Sequence, residues 1–534
     1  MTGTHPRAGA DKARKSAIDL VETFLDPGSR RGWDQPVEIT TTDPDYRADL
    51  ERARERTGLD ESVITGEGCV EGRRVAYVAC EFRFLAGSIG VAAGERLVRA
   101  VERATAERLP LLAAPASGGT RMQEGTVAFL QMVKVAAAIT DHKAAGLPYL
   151  VHVRHPTTGG VLASWGSLGH VTAAEPGALI GFMGPRVHEA LYGEEFPAGV
   201  QVAENLMNHG LIDAVLPTSR LAEVAARVLR VLCGDQDVPA GVDFRSGAEA
   251  GESGEAAESG GAPGRGGAGA TAVGPSTEES IRASRREDRP GVRDLLRVAA
   301  EDVSPLSGTG AGEHDPGLLL ALARVGGVPC VVLGHNRRGR RGSERASAEG
   351  QPLGPAGLRT ARRGMRIAAE LGLPLLTVID TAGAALSREA EEGGLAGEIA
   401  RCLADMVTLP APTLCLLLGQ GAGGAALALL PADRVVAARH AWLSPLPPEG
   451  ASAILHRTTE RAYEVADRQG VRSADLLADG IVDRVVEEGE GEGEEFLGRL
   501  GRILGAELAA LRAQDSEERL AARRARHRRI GLPS

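Results

Sequence analysis

This sequence carries the same arrangement of segments twice. Pro374 in "LGLPLLTVIDTAG" follows Pro110 in "ERLPLLAAPASGG" by 264 positions, and Gly423 in "GQGAGGAALALL" follows Gly159 in "HPTTGGVLASWGSLGH" by the same 264 positions. A third pair, "AENLMNHGLIDAVL" and "SADLLADGIVDRVV", lies 270 positions apart in the same order. Three matched segments in one order and at nearly constant spacing rarely arise by chance, so the chain is predicted to contain one fold unit duplicated.

The stretch between the two copies predicts a linker. It begins "FRSGAEAGESGEAAESGGAPGRGG" and is too poor in large apolar residues to bury a core. A chain of 534 residues also exceeds the size of one ordinary core. We therefore predict the following division: an N-terminal extension 1–65, a first domain 66–235, a linker 236–282, a second domain 283–488 and a charged tail 489–534.

Each copy reads as strands alternating with helices. "RRVAYVACEF" and "VPCVVLGHN" have the pattern of strands, and each is followed by a helical segment, the apolar strand "LPLLAAPA" or "LPLLTVID", and a second helix. A third strand then runs to the Gly-Gly turn. This alternation predicts α/β domains with largely parallel pairing, in which ligands gather at the carboxyl ends of the strands.

Composition and charge exclude several classes of function. A formal charge of −10 disfavours a general affinity for nucleic acid or anionic membranes, and only 3% of residues are aromatic, too few for a base-stacking surface. The N-terminus lacks the apolar core of a secretory signal. The six cysteines never occur as CxxC pairs, so no metal site or disulfide framework is predicted, and a cytoplasmic protein is the simplest expectation.

The glycine turns are the strongest candidates for chemistry. "PASGG" and "PTTGG" in the first copy, and "DTAGA" and "GAGGA" in the second, lie where a strand stops and a helix begins. Backbone N–H groups at such a place are unpaired, and two neighbouring turns can form an oxyanion hole. The alternative is that each turn is only a tight connection, since duplication copies structural turns as faithfully as catalytic ones.

The motifs around these turns resemble those of a known family. The first block is similar to the β subunit of acetyl-CoA carboxylase carboxyltransferase in "FRFLAGSIGVAAGER", "SGGTRMQEGTVAFLQMVK", "PTTGGVLASWGSLG", "AEPGALIGFMGPRV" and "HGLIDAV". The second is similar to the α subunit in "RTARRGMRIAAELGLPLLTVIDTAGA", "AEEGGLAGEIA", "GQGAGGAALALLPADRV", "PPEGASAIL" and "ADLLADGIVD". The resemblance covers residues 35–235 and 280–488 and implies two crotonase-like (ββα spiral) domains in a fused β–α carboxyltransferase.

The resemblance also implies a reaction and its partners. Biotin on a separate carrier protein, loaded by a separate biotin carboxylase, would donate a carboxyl group to acetyl-CoA to give malonyl-CoA. The family pairs the acyl-CoA half of one protomer with the biotin half of another, which implies a dimer or higher oligomer. Carried over by position, the site residues are Gly118, Gly119, Gly159 and Gly160 for the thioester oxygen, Gly423, Gly424 and Ala425 for biotin, and Arg121, Gly383 and Ala384 for substrate binding.

Three alternatives stay open from the sequence. The acceptor could be propionyl-CoA or another acyl-CoA, because the residues that line the acyl pocket cannot be placed. A hydratase or decarboxylase of the crotonase type is a second alternative, although such enzymes usually use a single block. The family's "GEGGSGG" is "GQGAGGA" here and its "PGAYPG" is "AGAALSR". These departures leave a third alternative, a non-catalytic paralogue that binds acyl-CoA.

Overall fold

The structure is a computed structural model that describes residues 15–36, 43–182, 188–189, 193–234, 274–337, 352–489 and 493–530. Most of the predicted linker lies outside the described residues. The first half is built on a seven-stranded sheet of order β1-β2-β3-β4-β5-β7-β9, with a separate pair β6-β8. Its strands are β1 Arg31–Gly32, β2 Val63–Val70, β3 Arg73–Cys80, β4 Leu111–Ala114, β5 Tyr149–Val153, β6 Thr157–Thr158, β7 Val171–Ala174, β8 Ile180–Gly181 and β9 Ala214–Val215.

The second half repeats this sheet. Its order is β10-β11-β12-β13-β14-β15-β17, and β16 pairs with β14. In both sheets the first three strands are antiparallel and the remaining neighbours are parallel. The strands are β10 Ala300–Leu306, β11 Leu318–Val325, β12 Val328–His335, β13 Leu375–Thr381, β14 Thr413–Ala422, β15 Arg434–Ala438, β16 Trp442–Ser444 and β17 Arg484–Val486.

Helices cross over between the parallel strands and cover the sheets. Those of the first half are Ala17–Phe24, Pro44–Thr57, Val91–Ala106, Gly125–Ala144, Gly159–Leu162, Ala203–Asn208 and Leu221–Leu232. Those of the second half are Thr277–Ser284, Val292–Ala299, Pro355–Leu371, Arg388–Glu392, Leu395–Thr408, Gly423–Leu427, Pro448–His456, Ala462–Arg468, Ser473–Ala478, Gly493–Arg512 and Ser516–Arg529.

Strand pairing confirms that the two halves are copies. Ser117 forms a parallel bridge with Thr157, and Thr381 pairs in parallel with Gly421. Each residue of the second bridge lies 264 positions after its counterpart in the first, the spacing seen in the sequence. The duplicated α/β architecture predicted above is therefore confirmed down to the register of the strands that lead into the glycine turns.

The predicted domain boundaries need correction. The boundary at residue 65 falls inside β2, an antiparallel strand that the sequence analysis missed. At the other end of the linker, the helix Thr277–Ser284 belongs to the second half, because Ile281 packs in one cluster with Trp442. The predicted tail also contains core residues: Leu500 and Leu504 of the helix Gly493–Arg512 are fully buried against the second sheet. Apolar residues at helical spacing hold this segment in place.

The two halves share a continuous core and a buried polar joint. Arg363 donates to both carboxylate oxygens of Asp213, at 2.8 and 2.9 Å, and to the carbonyl of Ser307 at 3.1 Å. Asp213 also accepts from the backbone N–H groups of Thr172 and Ser307. These contacts fix the amino ends of β7 and β9 against the loop after β10 and the helix Pro355–Leu371.

Candidate active site

The structure brings the two glycine turns of the first half together. A Cβ atom placed on Gly119 would lie 3.4 Å from Gly159 Cα and 3.5 Å from Gly160 N. Gly119 and Gly159 both have positive φ, +106° and +65°, which side chains with a Cβ rarely adopt. The positions predicted for the acyl side, including Gly118 next to Gly119, thus meet at the carboxyl end of the sheet, where the short helix Gly159–Leu162 begins.

Hydrogen bonding separates these glycines into two groups. Gly160 N–H has no acceptor within hydrogen-bond distance among the described residues, and it lies in the first turn of its helix. It is therefore available to a ligand oxygen. The other three predicted N–H donors are already used inside the protein: Gly118 to Ala86 O (2.9 Å), Gly119 to Ser117 Oγ (3.0 Å) and Gly159 to Phe182 O (2.9 Å).

Ala86 is a site residue that the sequence analysis missed. It has the left-handed φ of +55°, as does its neighbour Leu85 at +45°, and its carbonyl holds Gly118. Strained backbone in residues other than glycine costs free energy and clusters at functional sites. The quoted motif "FRFLAGSIGVAAGER" contains this residue, but no composition signal marks a left-handed alanine, so only the structure finds it.

Arg121 does not have the role predicted for it. Its side chain is fully buried, and its Nη1 donates to Glu61 Oε2 at 2.9 Å. The neighbouring backbone is tied as well, since Arg121 N donates to Ile89 O and Ile89 N donates to Gly119 O. Arg121 cannot reach a substrate without breaking this network. The prediction of substrate binding is corrected to a positioning role, in which Arg121 holds the loop that carries Gly119.

The second half places its own glycine turn in the same way. Gly423 has a φ of +66°, within a degree of Gly159, and begins the helix Gly423–Leu427. In the part of the chain that the structure describes, the N–H groups of Gly424 and Ala425 have no acceptor. A Cβ on Gly424 would lie 2.7 Å from Ile399 Cδ1, so a larger residue would have to displace that side chain. Two unpaired N–H groups at a helix N-terminus fit a ligand oxygen that gains negative charge.

Gly383 and Ala384 lie on the neighbouring loop. Gly383 N–H donates to Thr381 Oγ1 at 3.1 Å, the counterpart of the bond between Gly119 and Ser117. Ala384 forms a parallel bridge with Leu353. No Cβ contact within 4 Å joins Gly383 to the Gly423 turn. Both residues therefore lie at the same end of the sheet as Gly423. A Cβ atom on Gly383 would not contact Gly423, whereas one on its counterpart Gly119 would contact Gly159.

The buried carboxylate of Asp380 accepts a hydrogen bond from the strand that leads into the Gly423 turn. Asp380, at the end of β13, accepts from Gln420 N at 3.0 Å and lies 3.4 Å from Arg337 Nη1. Burial raises the pKa of Asp380, and the positive charge of Arg337 opposes this shift. A Cβ on Gly419 would lie 2.3 Å from Asp380 Oδ1, so glycine is required there. Asp380 is a second supporting residue that the sequence analysis did not single out.

Buried histidines near the turns are held neutral. Burial lowers the pKa of His335 to about 4, with the backbone of Val378 and Ala425 opposing the shift, and lowers the pKa of His152 to about 4.

Within the described ranges, no group of three or more His, Cys, Asp or Glu side chains is placed to hold a metal ion. Among the helices described, none is long and apolar enough to cross a membrane.

Comparison with known proteins agrees with this geometry. Residues 12–226 match a family model described as a carboxyl transferase domain. Residues 276–531 match a second model, described as acetyl co-enzyme A carboxylase carboxyltransferase-like. The two matches fall on the two halves of the chain and confirm the β-like and α-like resemblance.

Curated relatives match the chain over nearly its whole length. A probable biotin-dependent acyl-coenzyme A carboxylase beta3 subunit of Mycobacterium tuberculosis is 58% identical over 98% of this chain and 99% of its own length. Acetyl-coenzyme A carboxylase carboxyl transferase subunits beta/alpha of Parafrankia sp. are 39% identical over 98% of this chain and 87% of their own length.

Solved structures show the same fold. Transcarboxylase 12S, solved as a hexamer with methylmalonyl-coenzyme A bound, superposes with a TM-score of 0.72 at 21% identity, covering 94% of this chain and 91% of that one. A single-chain, multi-domain long-chain acyl-CoA carboxylase gives a TM-score of 0.67 at 17% identity, covering 92% of this chain and 46% of that one. From its two matched halves and its full-length relatives, the chain belongs to the carboxyltransferase family of biotin-dependent acyl-CoA carboxylases.

Proposed function

We propose that this chain transfers a carboxyl group from biotin to the α carbon of acetyl-CoA, giving malonyl-CoA, with propionyl-CoA as the alternative acceptor. The observation that carries the proposal is the repeated helix N-terminus, with unpaired N–H groups at Gly160 in one half and at Gly424 and Ala425 in the other. Two reactants each have a carbonyl oxygen that gains charge during such a transfer. Biotin on its carrier protein, loaded by a separate biotin carboxylase, supplies the carboxyl group.

Within this proposal the glycines have two roles, hydrogen-bond donation and close approach of the substrate to the backbone. Gly160 N–H stabilises the thioester oxygen, while Gly118, Gly119 and Gly159 allow the substrate to approach the backbone closely. Their own N–H groups hold the loops in shape, so they position the substrate rather than donate to it. Gly424 and Ala425 N–H groups meet the ureido oxygen of biotin beside Gly423.

Exposed apolar side chains near both turns support a site shared between protomers. On the helix Gly125–Ala144, Phe129 and Val133 are 60% and 65% exposed. On the second half, Leu427 and Ile454 are 47% and 64% exposed. Apolar surface of this kind marks contact sites. We propose that the first half of one copy packs against the second half of another, in a dimer or higher oligomer.

The oligomer is tested by light scattering after size-exclusion chromatography. Phe129→Glu is expected to shift the protein toward the monomer, because it puts a charge into the proposed apolar interface. Ile530→Glu, which alters an exposed apolar residue at the other end of the chain, is the matched control and should leave the mass unchanged. An unchanged mass for Phe129→Glu would exclude this face from the interface.

The reaction is tested by following label from carboxylated carrier protein into acetyl-CoA and propionyl-CoA. Gly160→Pro and Gly424→Pro each remove one proposed donor and should lower kcat by about 100-fold to 1,000-fold. Gly160→Ala keeps the N–H and is the control for the first turn. For the second turn the control is Gly424→Ala with Ile399→Val, which removes the Cδ1 atom that the new Cβ would meet, and thermal unfolding checks the fold of each. Loss of transfer in both members of a pair would mean that space, not the N–H, matters at that position.

The cytoplasmic location also stays a proposal. Among the described residues no cysteine forms a disulfide bond, and Cys80, Cys330, Cys402 and Cys415 are buried. Burial raises the pKa of the Cys80 thiol to about 11, so it stays protonated. Cysteines that form no disulfide suit a reducing compartment.

A further inference from the structure

A large cavity opens beside the glycine turn of the first half. Its volume is about 480 Å³, within the range of small-molecule sites. It lies between the helix Gly159–Leu162, the strand β8 and the helix Ala203–Asn208. Gly310 and Gly312 of the second half also line it. The cavity is therefore formed by both halves of one chain.

The cavity adjoins the turn that forms the proposed thioester site. Phe182, on its wall, accepts the N–H of Gly159 at 2.9 Å, and Gly181, also on its wall, pairs with Thr158. Leu162, in the same short helix as Gly160, lines it as well. A lining residue, Phe182, is therefore hydrogen-bonded directly to the turn that carries the unpaired Gly160 N–H. A thioester bound at that turn would lie next to these lining residues.

The chemistry of the lining favours hydrocarbon. Half of the lining residues have apolar side chains, among them Val153, Ile180, Phe196 and Leu206. Among the described residues that line the cavity there is no carboxylate, lysine or arginine. This wall suits an apolar group and offers no lysine or arginine to pair with a phosphate.

Three of the polar side chains on the wall bond to nearby backbone. Ser167 Oγ donates to Leu162 O at 2.6 Å, and Asn205 Nδ2 donates to Val200 O at 3.0 Å. His209 Nδ1 lies 2.9 Å from Asn205 O. Thr172 and Gln201 are the other polar side chains of the wall, so apolar side chains outnumber polar ones on the surface that faces a ligand.

We propose that this cavity binds the acyl chain of the acceptor, and that this chain's acceptors extend to acyl-CoA thioesters longer than propionyl-CoA. The inference rests on the proposed function, because it places the thioester at the Gly159 turn. Each methylene group that enters the cavity should tighten binding about fourfold until the cavity is full. Acetyl-CoA would then bind most weakly of the straight-chain series.

Equilibrium binding tests the proposal without catalysis. Calorimetry with the full chain would compare acetyl-, butyryl-, hexanoyl-, octanoyl- and decanoyl-CoA. Val200→Trp and Leu211→Trp fill the cavity from two half-exposed lining positions, at 44% and 42% exposure, where a larger side chain leaves the core intact. Asn208→Trp, an exposed position of the same helix as Asn205 but outside the cavity, is the matched control.

The expected result is a Kd that falls with chain length in the native protein and in Asn208→Trp, and a flat series in both cavity variants with unchanged acetyl-CoA binding. A flat series in the native protein would overturn the cavity assignment while leaving the proposed function intact. A chain-length dependence that survives in both cavity variants would overturn the assignment as well. Failure to bind any acyl-CoA would overturn the proposed function itself.

Discussion

Arg121 and Glu61 form an ion pair that is closed to solvent, with side-chain exposures of 0% and 2% and a separation of 2.9 Å between Arg121 Nη1 and Glu61 Oε2. Ser62 Oγ and Ser88 O accept further hydrogen bonds from the same guanidinium, at 3.1 and 2.7 Å. Burial of a charge is tolerated only with such complete pairing. The pair is therefore a structural support for the loop that carries Gly119.

Arg121→Met is expected to destabilise the protein by about 3 to 5 kcal/mol, because Glu61 would remain buried without its partner. Chemical denaturation measures the loss. The double variant Arg121→Met, Glu61→Leu should recover most of it, since neither charge is then buried alone. If Arg121→Met instead kept its stability and lost acyl-CoA affinity, the original prediction of substrate binding would be right.

The joint between the halves gives a second prediction. Arg363→Met leaves the Asp213 carboxylate buried beside Ser307 without its main counter-charge, so the free energy of unfolding should fall by about 3 to 5 kcal/mol. Arg388, whose pair with Glu392 is 82% and 64% exposed, is the matched control. Arg388→Met should change stability by less than about 1 kcal/mol. An equal loss of unfolding free energy in both variants would show that the buried pair of Arg363 and Asp213 stabilises the protein no more than an exposed ion pair does.

The duplication could be predicted because matched segments of the sequence lie at a nearly constant separation. An offset of 264 positions relates Gly159 to Gly423, and the structure gives these residues φ values of +65° and +66°. The turns, the parallel strands before them and the helices after them all follow from local patterns of apolar residues and glycine. Where the sequence determines structure locally, the prediction holds.

Features that depend on distant contacts could not be predicted. The strand "VITGEGCV" contains two glycines and a glutamate, and it forms β2 only because it pairs along β3. The buried state of Arg121 depends on Glu61, 60 positions earlier. Likewise the basic segment "ERLAARRARHRR" reads as an exposed helix end, yet Arg523 is 1% exposed. In each case the deciding partner lies far away in the sequence.

The C-terminal helix gives a third prediction. Arg523 donates to both carboxylate oxygens of Asp433 at 2.8 Å and to Met406 O at 2.9 Å. Deletion of residues 516–534 removes the arginine that pairs with this carboxylate, whose exposure in the intact chain is 4%, so Tm should fall by several degrees. Asp433→Asn in the shortened chain should recover part of the loss, because the amide carries no charge. An unchanged Tm in the shortened chain would show that this segment contributes no stability and is a tail, as the sequence predicts.

The last prediction concerns pH. His152 lies in β5 against an apolar cavity with Leu112 and Leu150, and burial lowers its pKa from 6.5 to about 4, opposed by Glu175. The unfolded chain therefore binds a proton below pH 6.5 that the folded chain binds only near pH 4. Stability is fully present above pH 6.5 and falls as the pH drops toward 4, by about 3 kcal/mol from this histidine.

The duplication supplies the matched variant for this test. The position 264 residues after His152 is Leu416, a fully buried strand residue, so a leucine suits the same place in the fold. His152→Leu should keep or raise stability at pH 7 and should reduce the slope of unfolding free energy against pH between 6.5 and 4. Urea unfolding across this range measures both effects. An unchanged slope would mean that His152 is protonated in the folded protein or stays neutral in both states, contrary to its burial among aliphatic side chains.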